Sequence, residues 1–543
     1  MLWPVQPALG QINIIPKPAH INVGNGHFII DKQTSVHIDD EEEMADLGDY
    51  FSTRIKEISG IELPVNKSTE KNIHLRLVNT DTLKAEGYKL IVRPSAIDIE
   101  ASDEAGLFYG IQSILQTLPV IRTNEVLKIP AMEVVDQPRL SWRGMMLDVS
   151  RHFYSTEAIK EIIDLLARYK INRFHWHLTD NEGWRLEIKK YPRLTSVGAW
   201  RKEMPGSIFY RADSTLSGKP YRYGGYYTQE QAREIVAYAE KRNITVVPEI
   251  DMPGHSGAAL AAYPRYSCAG RPQPVAASYS YAENNGIVDP NSLSFNFCPG
   301  KDSSFHFLKN VLTEVMDIFP SEYIHIGGDE VDFEDWKSCD SCKRRMKEEG
   351  LSTMQDLQGY FMSRIKKFVN SRGRKIIGWD EILKGNLDSS ATVMSWRGEK
   401  GGIAAAKRGY DVIMSPNDPL YFNRVQGDAK DEPYAPDFSI NTLRRVYNYD
   451  PLPGELTPAE QDHILGGQFA LWTEFISSVS HLEYMLLPRM PAAAEAFWSA
   501  PGRKDFDDFV KRLNEGHFEG WEQQGIRFHM EHYNNRTHER NRK

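Results

Sequence analysis

The segment HIGGDEV, residues 325–331, places two carboxylates side by side, Asp329 and Glu330. Enzymes that cleave glycosidic bonds commonly use two acids, which lie on opposite sides of the bond. The acids are about 5–5.5 Å apart for retention and about 6.5–9.5 Å apart for inversion. Neighbours in sequence cannot straddle a sugar ring in that way. If this pair serves a hydrolase, the nucleophile must come from elsewhere.

Other polar and aromatic residues recur at the ends of short apolar runs. Taken singly, some have a structural explanation: Arg151 and Asp148 could form a structural ion pair, and His255 could be a helix cap or a core residue. A whole ring of such residues is hard to explain by stability alone, because burying unpaired charges is costly. Three tryptophans beside acids fit the walls of a sugar pocket, where apolar ring faces stack. The set is Asp148, Arg151, Asp180, Asp251, His255, Trp379, Asp380, Glu381, Trp396, Arg397, Trp472 and Glu474.

The sequence HWH, from His175 to His177, offers a different chemistry. At a strand end, HxH aims both imidazoles to one side, and such a pair can bind a catalytic metal in barrel hydrolases. A metal-dependent amidohydrolase is therefore an alternative. It would need further His, Asp or carboxylated Lys ligands on later strands, where the chain has Trp and Glu instead. The sequence accordingly predicts no metal and no cofactor.

The chain has four cysteines. Cys268 and Cys298 flank a polar loop rich in Ser, Asn and Pro, and the simplest interpretation is a disulfide across it, which implies an exported protein. Cys339 and Cys342 form a lone CxxC that fits a tight disulfide, a free pair or half of a zinc site. With no second pair at suitable spacing, zinc is the least favoured of these.

The polar residues follow eight short apolar segments, most of them separated by helical patterns. This order predicts a (β/α)₈ barrel, which closes eight parallel strands without an edge and carries its catalytic face at their carboxyl ends. A doubly wound sheet is the alternative, but we find no glycine-rich phosphate turn after an early strand. The segments are RGMMLDVS, RFHWHLTD, TVVPEIDMP, YIHIGGDE, RKIIGWDEI, ATVMSWRG, YDVIMSP and ILGGQFALWTEF.

The segments on either side of the barrel predict separate units. Before it, β-rich runs (HFIID, NIHLRLV, YKLIV, AIDIEA) alternate with two helical stretches, EEEMADLGDYFSTRIKEI and DEAGLFYGIQSILQTL. A chain of 543 residues also exceeds the range of a single core. We predict a non-catalytic α+β domain over 1–137, the barrel over 138–500, and a helical tail packed on the barrel over 501–543.

Composition excludes some partners. The net charge is −9 and no Lys/Arg-rich face is evident, which argues against nucleic acid. No run of 18 apolar residues exists, so no bilayer span is predicted. The start, MLWPVQPALG, lacks the charged and apolar regions of a secretory signal. We expect an exported protein whose signal is absent from this chain.

Seven motifs together resemble the family 20 glycoside hydrolases, the exo-acting β-N-acetylhexosaminidases. They occur in the order WRGMMLDVSRHF, HWHLTDNEGWR, PEIDMPGHS, HIGGDE, GWDEI, SWRG and ALWTEF. The resemblance spans about Trp142 to Phe475, and the region before it resembles the α+β domain that commonly precedes that barrel. It implies cleavage of terminal β-linked GlcNAc or GalNAc from an oligosaccharide or glycoconjugate. It also implies that the substrate's own 2-acetamido oxygen attacks C1, giving an oxazolinium intermediate with net retention.

The resemblance carries roles onto matching residues. Glu330 is expected to be the general acid and then the base for water, and Asp329 to orient the acetamide and stabilise the positive charge. Tyr421 is expected to donate to the acetamide oxygen. The family often has Tyr-x-Asp where this chain has Asn423, which keeps an acceptor but loses a charge. Further expected contacts are Trp379, Trp396 and Trp472 around the acetamide, Arg151 and Glu474 on the outer hydroxyls, and Asp180 and His255 behind the acid.

A non-catalytic glycan-binding barrel is the third class of function, beside the hexosaminidase and the metal hydrolase. The presence of Asp329 and Glu330 together with Tyr421 argues against it. The sequence therefore favours an enzyme.

Overall fold

A computed structural model describes residues 12–39, 41–67, 69, 71–80, 82–123, 126–203, 221–277, 293–385 and 387–530. The segment MLWPVQPALG, residues 278–292 of the loop between Cys268 and Cys298, and residues 531–543 of the predicted tail lie outside the described residues.

The amino-terminal part is a six-stranded mixed sheet with two helices packed against it, in the strand order β1-β6-β4-β5-β3-β2. In β5 the burial alternates along the strand, so that Ile97 and Ile99 face the core while Asp98 and Glu100 face outward. The strands and helices that the sequence predicts here are confirmed. The strands are β1 (His20–Ile30), β2 (Thr34–Ile38), β3 (Lys71–Leu77), β4 (Tyr88–Val92), β5 (Ala96–Ala101) and β6 (Leu127–Asp136), and the helices are Glu41–Ser59 and Glu104–Leu115.

Eight parallel strands close into a barrel, which confirms the predicted fold. Every residue of the first strand is buried, as expected for a strand covered on both faces. Two antiparallel strands, β9 and β10, pair in the insertion after the second barrel strand. In chain order the strands are β7 (Trp142–Asp148), β8 (Arg173–His177), β9 (Trp200–Glu203), β10 (Tyr221–Gly224), β11 (Thr245–Glu249), β12 (Tyr323–His325), β13 (Lys375–Trp379), β14 (Thr392–Ser395), β15 (Val412–Met414) and β16 (Ile464–Leu471).

Helices connect the barrel strands. The helix Thr156–Arg168 begins where predicted, because the Ser155 side chain accepts a hydrogen bond from the Ala158 amide and caps it. The longer α-helices after β7 are Thr156–Arg168, Gln229–Glu240, Asp302–Ile318, Asp340–Glu349, Met354–Asn370, Lys400–Lys407, Val479–Leu486 and Arg489–Trp498. The shorter ones are Arg193–Ser196, Gly257–Ala262, Glu334–Ser338, Asn417–Leu420, Leu443–Asn448 and Pro458–Gln461, with 3₁₀ turns at Pro264–Tyr266, Asp380–Gly385 and Pro501–Arg503.

Buried ion pairs join the amino-terminal sheet to the barrel. Arg143 of β7 is fully buried and donates to both carboxylate oxygens of Glu86, at 2.8 and 3.0 Å. The Lys170 ammonium lies 3.2 Å from Asp136 at the end of β6. Removing one member of such a pair leaves a buried charge without compensation. These contacts therefore fix how the sheet sits on the barrel.

The chain after residue 501 forms α-helices Phe506–Arg512 and Phe518–Gln524, joined by a π-helical turn, Leu513–His517. Arg512 is buried and donates to both oxygens of Glu495 on the helix Arg489–Trp498, at 2.8 and 2.7 Å. This pair holds the carboxyl-terminal helices to the body of the protein. Among the described residues, no helix has the length and apolar character that a bilayer span requires.

Candidate active site

A pocket of about 610 Å³ lies at the carboxyl ends of the barrel strands. Of the wider strand-end set, Asp148, Asp251, Asp380, Glu381 and Arg397 do not line it. Of the residues with an expected role, the structure brings all but one to the lining. The exception, Asp180, lies directly behind the lining and contacts both Arg151 and His255. The predicted residues that line the pocket are Arg151, His255, Asp329, Glu330, Trp379, Trp396, Tyr421, Asn423, Trp472 and Glu474.

The turn after β12 explains the two glycines of HIGGDE. A Cβ on Gly327 would lie 1.7 Å from the Asp251 carboxylate, and Gly327 and Gly328 have φ angles of +67° and +102°. Glu330 itself has a φ of +45°, a conformation that costs a non-glycine residue about 1–3 kcal/mol and is concentrated at functional sites. The turn leaves Asp329 buried while the Glu330 side chain is 60% exposed. The two acids thus occupy different depths of one pocket.

His255 lies between these acids and a third carboxylate. Its Nδ1 is 2.9 Å from Asp180 Oδ1, and its Nε2 is 3.5 Å from Asp329 Oδ2 and 3.7 Å from Glu330 Oε2. Burial opposes a charged imidazole, but Asp180 and Asp329 outweigh it and raise the pKa of His255 well above its usual range. The contact with His255 lowers the pKa of Glu330 in turn. A positive charge therefore lies next to both acids.

Asp329 lies in a drier environment than Glu330. Burial raises the pKa of Asp329 to about 6, against the opposing effect of His255. Its Oδ1 is buried and has no hydrogen-bond partner among the described residues. A buried acceptor without a partner is costly unless a ligand supplies a donor. The pocket can therefore offer Asp329 Oδ1 to an N–H group of a bound molecule.

Aromatic rings form the wall around Asp329. Trp379 and Trp472 have ring centroids 6.0 Å apart, and Trp396 stacks on Tyr421 at 6.2 Å with an interplanar angle of 12°. The Trp379 indole donates to Glu249 beneath it, at 3.1 Å, which fixes the ring. Burial raises the pKa of Tyr421 well above its usual range, so the hydroxyl remains a donor. This wall suits the apolar face of a sugar and a small acyl group.

Arg151 forms the polar side of the pocket. Its guanidinium is 2.9 Å from Asp180 Oδ2, 3.1 Å from Glu182 Oε2 and 4.0 Å from Glu474 Oε1. It also lies over the Trp472 ring, 5.1 Å from the centroid. Glu474 Oε2 is buried and has no hydrogen-bond partner among the described residues. A donor fork and a free acceptor here can bind vicinal hydroxyls.

The histidines of HWH do not face the pocket. His177 Nδ1 and His325 Nδ1 lie 2.5 and 2.8 Å from the carboxylate of Glu249, and His175 Nε2 lies 3.0 Å from it. Burial opposes a charged carboxylate, but the histidines hold the pKa of Glu249 well below its usual range. The pair predicted as possible metal ligands thus serves a buried carboxylate under the aromatic wall.

Several residues of the site were missed from the sequence. Glu182 stands in HWHLTDNEGWR, where its position beside Asp180 was a usable signal. Glu249 is a charge in the otherwise apolar strand TVVPE, which is also a signal. The rest belong to segments without a periodic pattern. The missed lining residues are Glu182, Arg424, Tyr434, Pro436, Asp437, Phe438 and Phe475.

The predicted disulfide between Cys268 and Cys298 is wrong in this structure, because all four cysteines are free. Their sulfurs meet in one cluster, in which Cys342 Sγ lies 3.6 Å from both Cys268 Sγ and Cys298 Sγ. The sequence interpretation paired Cys268 with Cys298 and so left the CxxC without a second pair. The loops after β11 and β12 bring the two pairs together.

The chain belongs to glycosyl hydrolase family 20. The profile for the catalytic domain of this family matches residues 140–501, and the profile for its domain 2 matches residues 11–137. The barrel, the preceding sheet and the seven motifs agree with that membership.

Named relatives cover most of the chain. It is 42% identical over 517 residues to a beta-hexosaminidase of Porphyromonas gingivalis, an alignment that covers 93% of this chain and 62% of the relative. Among solved structures, the GH20 exo beta-N-acetylglucosaminidase of Vibrio harveyi in complex with N-acetylglucosamine has a TM-score of 0.83 at 32% identity, covering 97% of this chain and 80% of that one. A mutant Streptomyces plicatus beta-hexosaminidase in complex with the product GlcNAc has a TM-score of 0.80 at 31% identity, covering 98% and 99%.

Proposed function

We propose that this protein is a retaining exo-β-N-acetylhexosaminidase that removes terminal non-reducing β-linked GlcNAc or GalNAc. The observation that carries the proposal is that two adjacent acids line the same pocket. Asp329 is buried inside the aromatic wall, and Glu330 lies at the open side. Adjacent acids suit a reaction whose nucleophile belongs to the substrate. The relatives named as hexosaminidases, and the GlcNAc bound to two of the similar structures, support the same activity.

The proposed reaction has two steps. The acetamide carbonyl oxygen attacks C1 while Glu330 gives its proton to the departing glycosidic oxygen, which forms an oxazolinium ion. Asp329 Oδ1 accepts the acetamide N–H and balances the positive charge, and the Tyr421 hydroxyl donates to the acetamide oxygen. Glu330, now a carboxylate, takes a proton from the water that attacks C1. The acetamide is regenerated and the configuration at C1 is retained.

Substrate binding brings the two acids to the charge states that these roles need. In the free pocket the pKa of Glu330 is lowered by His255, and burial raises that of Asp329. A leaving group over Glu330 removes water from it and so raises its pKa. The developing oxazolinium charge next to Asp329 favours its carboxylate form. Each group is thus driven toward its role by the sugar itself.

Arg151 and Glu474 support the exo mode of action. We assign them to the outer hydroxyls of the terminal sugar, since the guanidinium and the unpartnered Glu474 Oε2 lie at the polar side of the pocket. Asn423 Oδ1 is likewise buried without a partner among the described residues and lines the pocket. We therefore assign Asn423 as a further acceptor for a sugar hydroxyl.

We also propose that the protein acts outside the cytoplasm. The disulfide that would have indicated export is not formed, so the proposal rests on the substrate, because glycans and glycoconjugates do not cross a bilayer unaided. We retain the division into a non-catalytic domain over 1–137, the barrel over 138–500 and a helical tail over 501–543 as part of the proposal. Fractionation of cells that express the natural gene would test the location.

The activity test compares two chromogenic substrates that differ only at C2. We expect release of the chromophore from an aryl β-N-acetylglucosaminide and almost none from the aryl β-glucoside, which lacks the acetamide nucleophile. Asp329→Asn should abolish most of the release, whereas Asp332→Asn, an exposed position of the same loop that caps the Glu334 amide, should retain it. Equal rates on the two substrates would contradict the proposal.

A further inference from the structure

Four cysteine sulfurs converge beside the loops that carry the active-site acids. Cys342 Sγ lies 3.6 Å from the sulfurs of Cys268 and Cys298, and Cys298 Sγ lies 3.8 Å from Cys339 Sγ. All four sulfurs lie within 4.8 Å of one another. Cys298 and Cys342 are buried and the other two are partly buried. None of the four lines the pocket.

These separations have a specific geometric meaning. Zinc in a structural site is bound tetrahedrally with Zn–S distances of about 2.3 Å, which places neighbouring sulfurs about 3.8 Å apart. A disulfide requires about 2.05 Å. Three of the six sulfur separations, 3.6, 3.6 and 3.8 Å, are close to the edge of a zinc tetrahedron, and sulfur is a ligand that such a site prefers. We propose that Cys268, Cys298, Cys339 and Cys342 bind one structural Zn²⁺.

The backbone around the sulfurs is shaped for this cluster. A Cβ on Gly300 would lie 2.2 Å from the carbonyl carbon of Ser341 and 2.5 Å from the Cys342 nitrogen, so only glycine lets the two ligand loops approach. The Cys298 amide donates to the carbonyl oxygen of Tyr266 at 2.9 Å, which fixes the backbone that carries this ligand. Both features hold the two cysteine-bearing loops at a fixed distance from each other.

A cation also lies close to the cluster. Four thiolates and one Zn²⁺ carry a net charge of −2, which favours a positive neighbour. Lys301 extends its ammonium to the carbonyl oxygens of Ser267 and Cys268, at 2.5 and 3.5 Å. Lys301 follows Cys298 closely in sequence, so one short segment supplies both a ligand and a compensating charge.

The bound metal joins two active-site loops. Cys268 and Cys298 belong to the segment after β11, which carries His255, and Cys339 and Cys342 follow β12 and the acids Asp329 and Glu330. A site with four protein ligands has no open position, so its role is structural. The zinc therefore holds the loop of His255 against the loop of the acids. This inference does not depend on the proposed glycosidase activity.

The direct test is the metal content of the full chain, purified without chelators. We expect one equivalent of zinc by inductively coupled plasma mass spectrometry, and an X-ray absorption spectrum that fits four sulfurs at about 2.3 Å. Cys298→Ser should lose the zinc, whereas Ser341→Ala, between the CxxC ligands, should keep it. We expect the zinc-free variant to melt at a lower temperature and to have a lower kcat.

A second measurement needs no variant and so does not depend on one folding. Protein produced with Co²⁺ in place of zinc should show sulfur-to-cobalt charge-transfer absorption and intense tetrahedral visible bands, and both should disappear when zinc displaces the cobalt. Mass mapping of a digest of the non-reduced protein distinguishes bonded from free cysteines. Two disulfides, four free thiols without metal, or bound iron in place of zinc would each overturn the proposal.

Discussion

His255 and Asp180 share a hydrogen bond of 2.9 Å that directs the other ring nitrogen of His255 toward Asp329 and Glu330. Asp180 in turn lies 2.9 Å from His177, whose second nitrogen contacts Glu249 inside the barrel. Alternating carboxylates and imidazoles thus run from the barrel interior to the acids at its mouth. In such a chain each charge supports the next, so changes in it should appear in the pH dependence of the reaction.

The first prediction concerns the charge on His255. His255→Gln removes a positive charge that lowers the pKa of both Asp329 and Glu330. Asp329 must be ionised and Glu330 protonated for the proposed reaction, so each pKa limits one side of the pH–rate profile. Without the imidazolium both pKa values rise. We expect both limbs of the kcat/KM profile to move to higher pH.

The control for this change is His481→Gln. His481 is also buried, and burial lowers its pKa to about 4, but it does not line the pocket. Its substitution should leave both limbs in place. A His255→Gln enzyme that is slower at every pH with an unshifted profile would show that His255 has only a packing role.

The second prediction tests Glu330 as the proton donor. Glu330→Gln cannot protonate the departing oxygen, and protonation matters least when the leaving group is already acidic. We expect a small loss on a dinitrophenyl glycoside and a loss of about 10²–10⁴-fold on a β-linked disaccharide. The two substrates are compared by kcat/KM in the same preparation. Equal losses on both would remove Glu330 from this role.

The third prediction concerns stability. Glu249 is fully buried, and its pKa lies well below its usual range because, against burial, the three histidines favour the carboxylate. Glu249→Gln leaves these donors without their charge partner, and we expect a loss of about 3–5 kcal/mol in the free energy of unfolding, measured by urea at pH 7. Glu234→Gln changes a side chain that is 59% exposed and paired with Lys160, and it should change the free energy of unfolding by less than about 0.5 kcal/mol.

The stability difference between wild type and Glu249→Gln should also depend on pH, which gives an independent check. A group whose pKa is depressed on folding stabilises the protein above its unfolded pKa, which for Glu is about 4.3. That contribution is lost as the pH falls through the lower pKa of the folded state. The gap between wild type and Glu249→Gln should therefore be full at pH 7 and shrink in strong acid. A gap that grows on acidification would contradict the charged state of Glu249.

The sequence predicted what depends on local pattern. Each barrel strand is a short apolar run, and the residue types that follow it, such as Asp329 or Trp472, are visible without knowing the fold. The N-cap at Ser155 is equally local. Once parallel strands are assumed, their carboxyl ends must meet, and the predicted residues are brought to one pocket for that reason.

What the sequence did not predict depends on distant chain segments. In the sequence, Glu249 is visible only as a residue of its own strand. Its partners come from three other strands, β8, β12 and β13. Cys268 and Cys342 are 74 positions apart, and only the path of two irregular loops brings their sulfurs together. The pocket wall at Tyr434 and Phe438 lies on a segment without helices or strands. No period or motif marks such contacts.

The last prediction concerns the nucleophile. If the acetamide oxygen attacks C1, replacing the N-acetyl hydrogens stepwise by fluorine weakens that oxygen and should slow kcat in graded order. Binding should change less than turnover, since the fluorines leave the sugar hydroxyls and their contacts with Arg151 and Glu474 intact.

Asp329→Asn tests whether the carboxylate stabilises the oxazolinium ion. Asp329 is buried inside the aromatic wall, where an amide cannot balance the charge of the oxazolinium ion, and this variant should lose about 10²–10³-fold in kcat. Because its oxygen can still accept the acetamide N–H, KM should change much less than kcat. A rate that stays flat across the fluorinated series, or a glycosyl ester trapped on Glu182, Glu474 or any other acid, would mean that a protein carboxylate is the nucleophile.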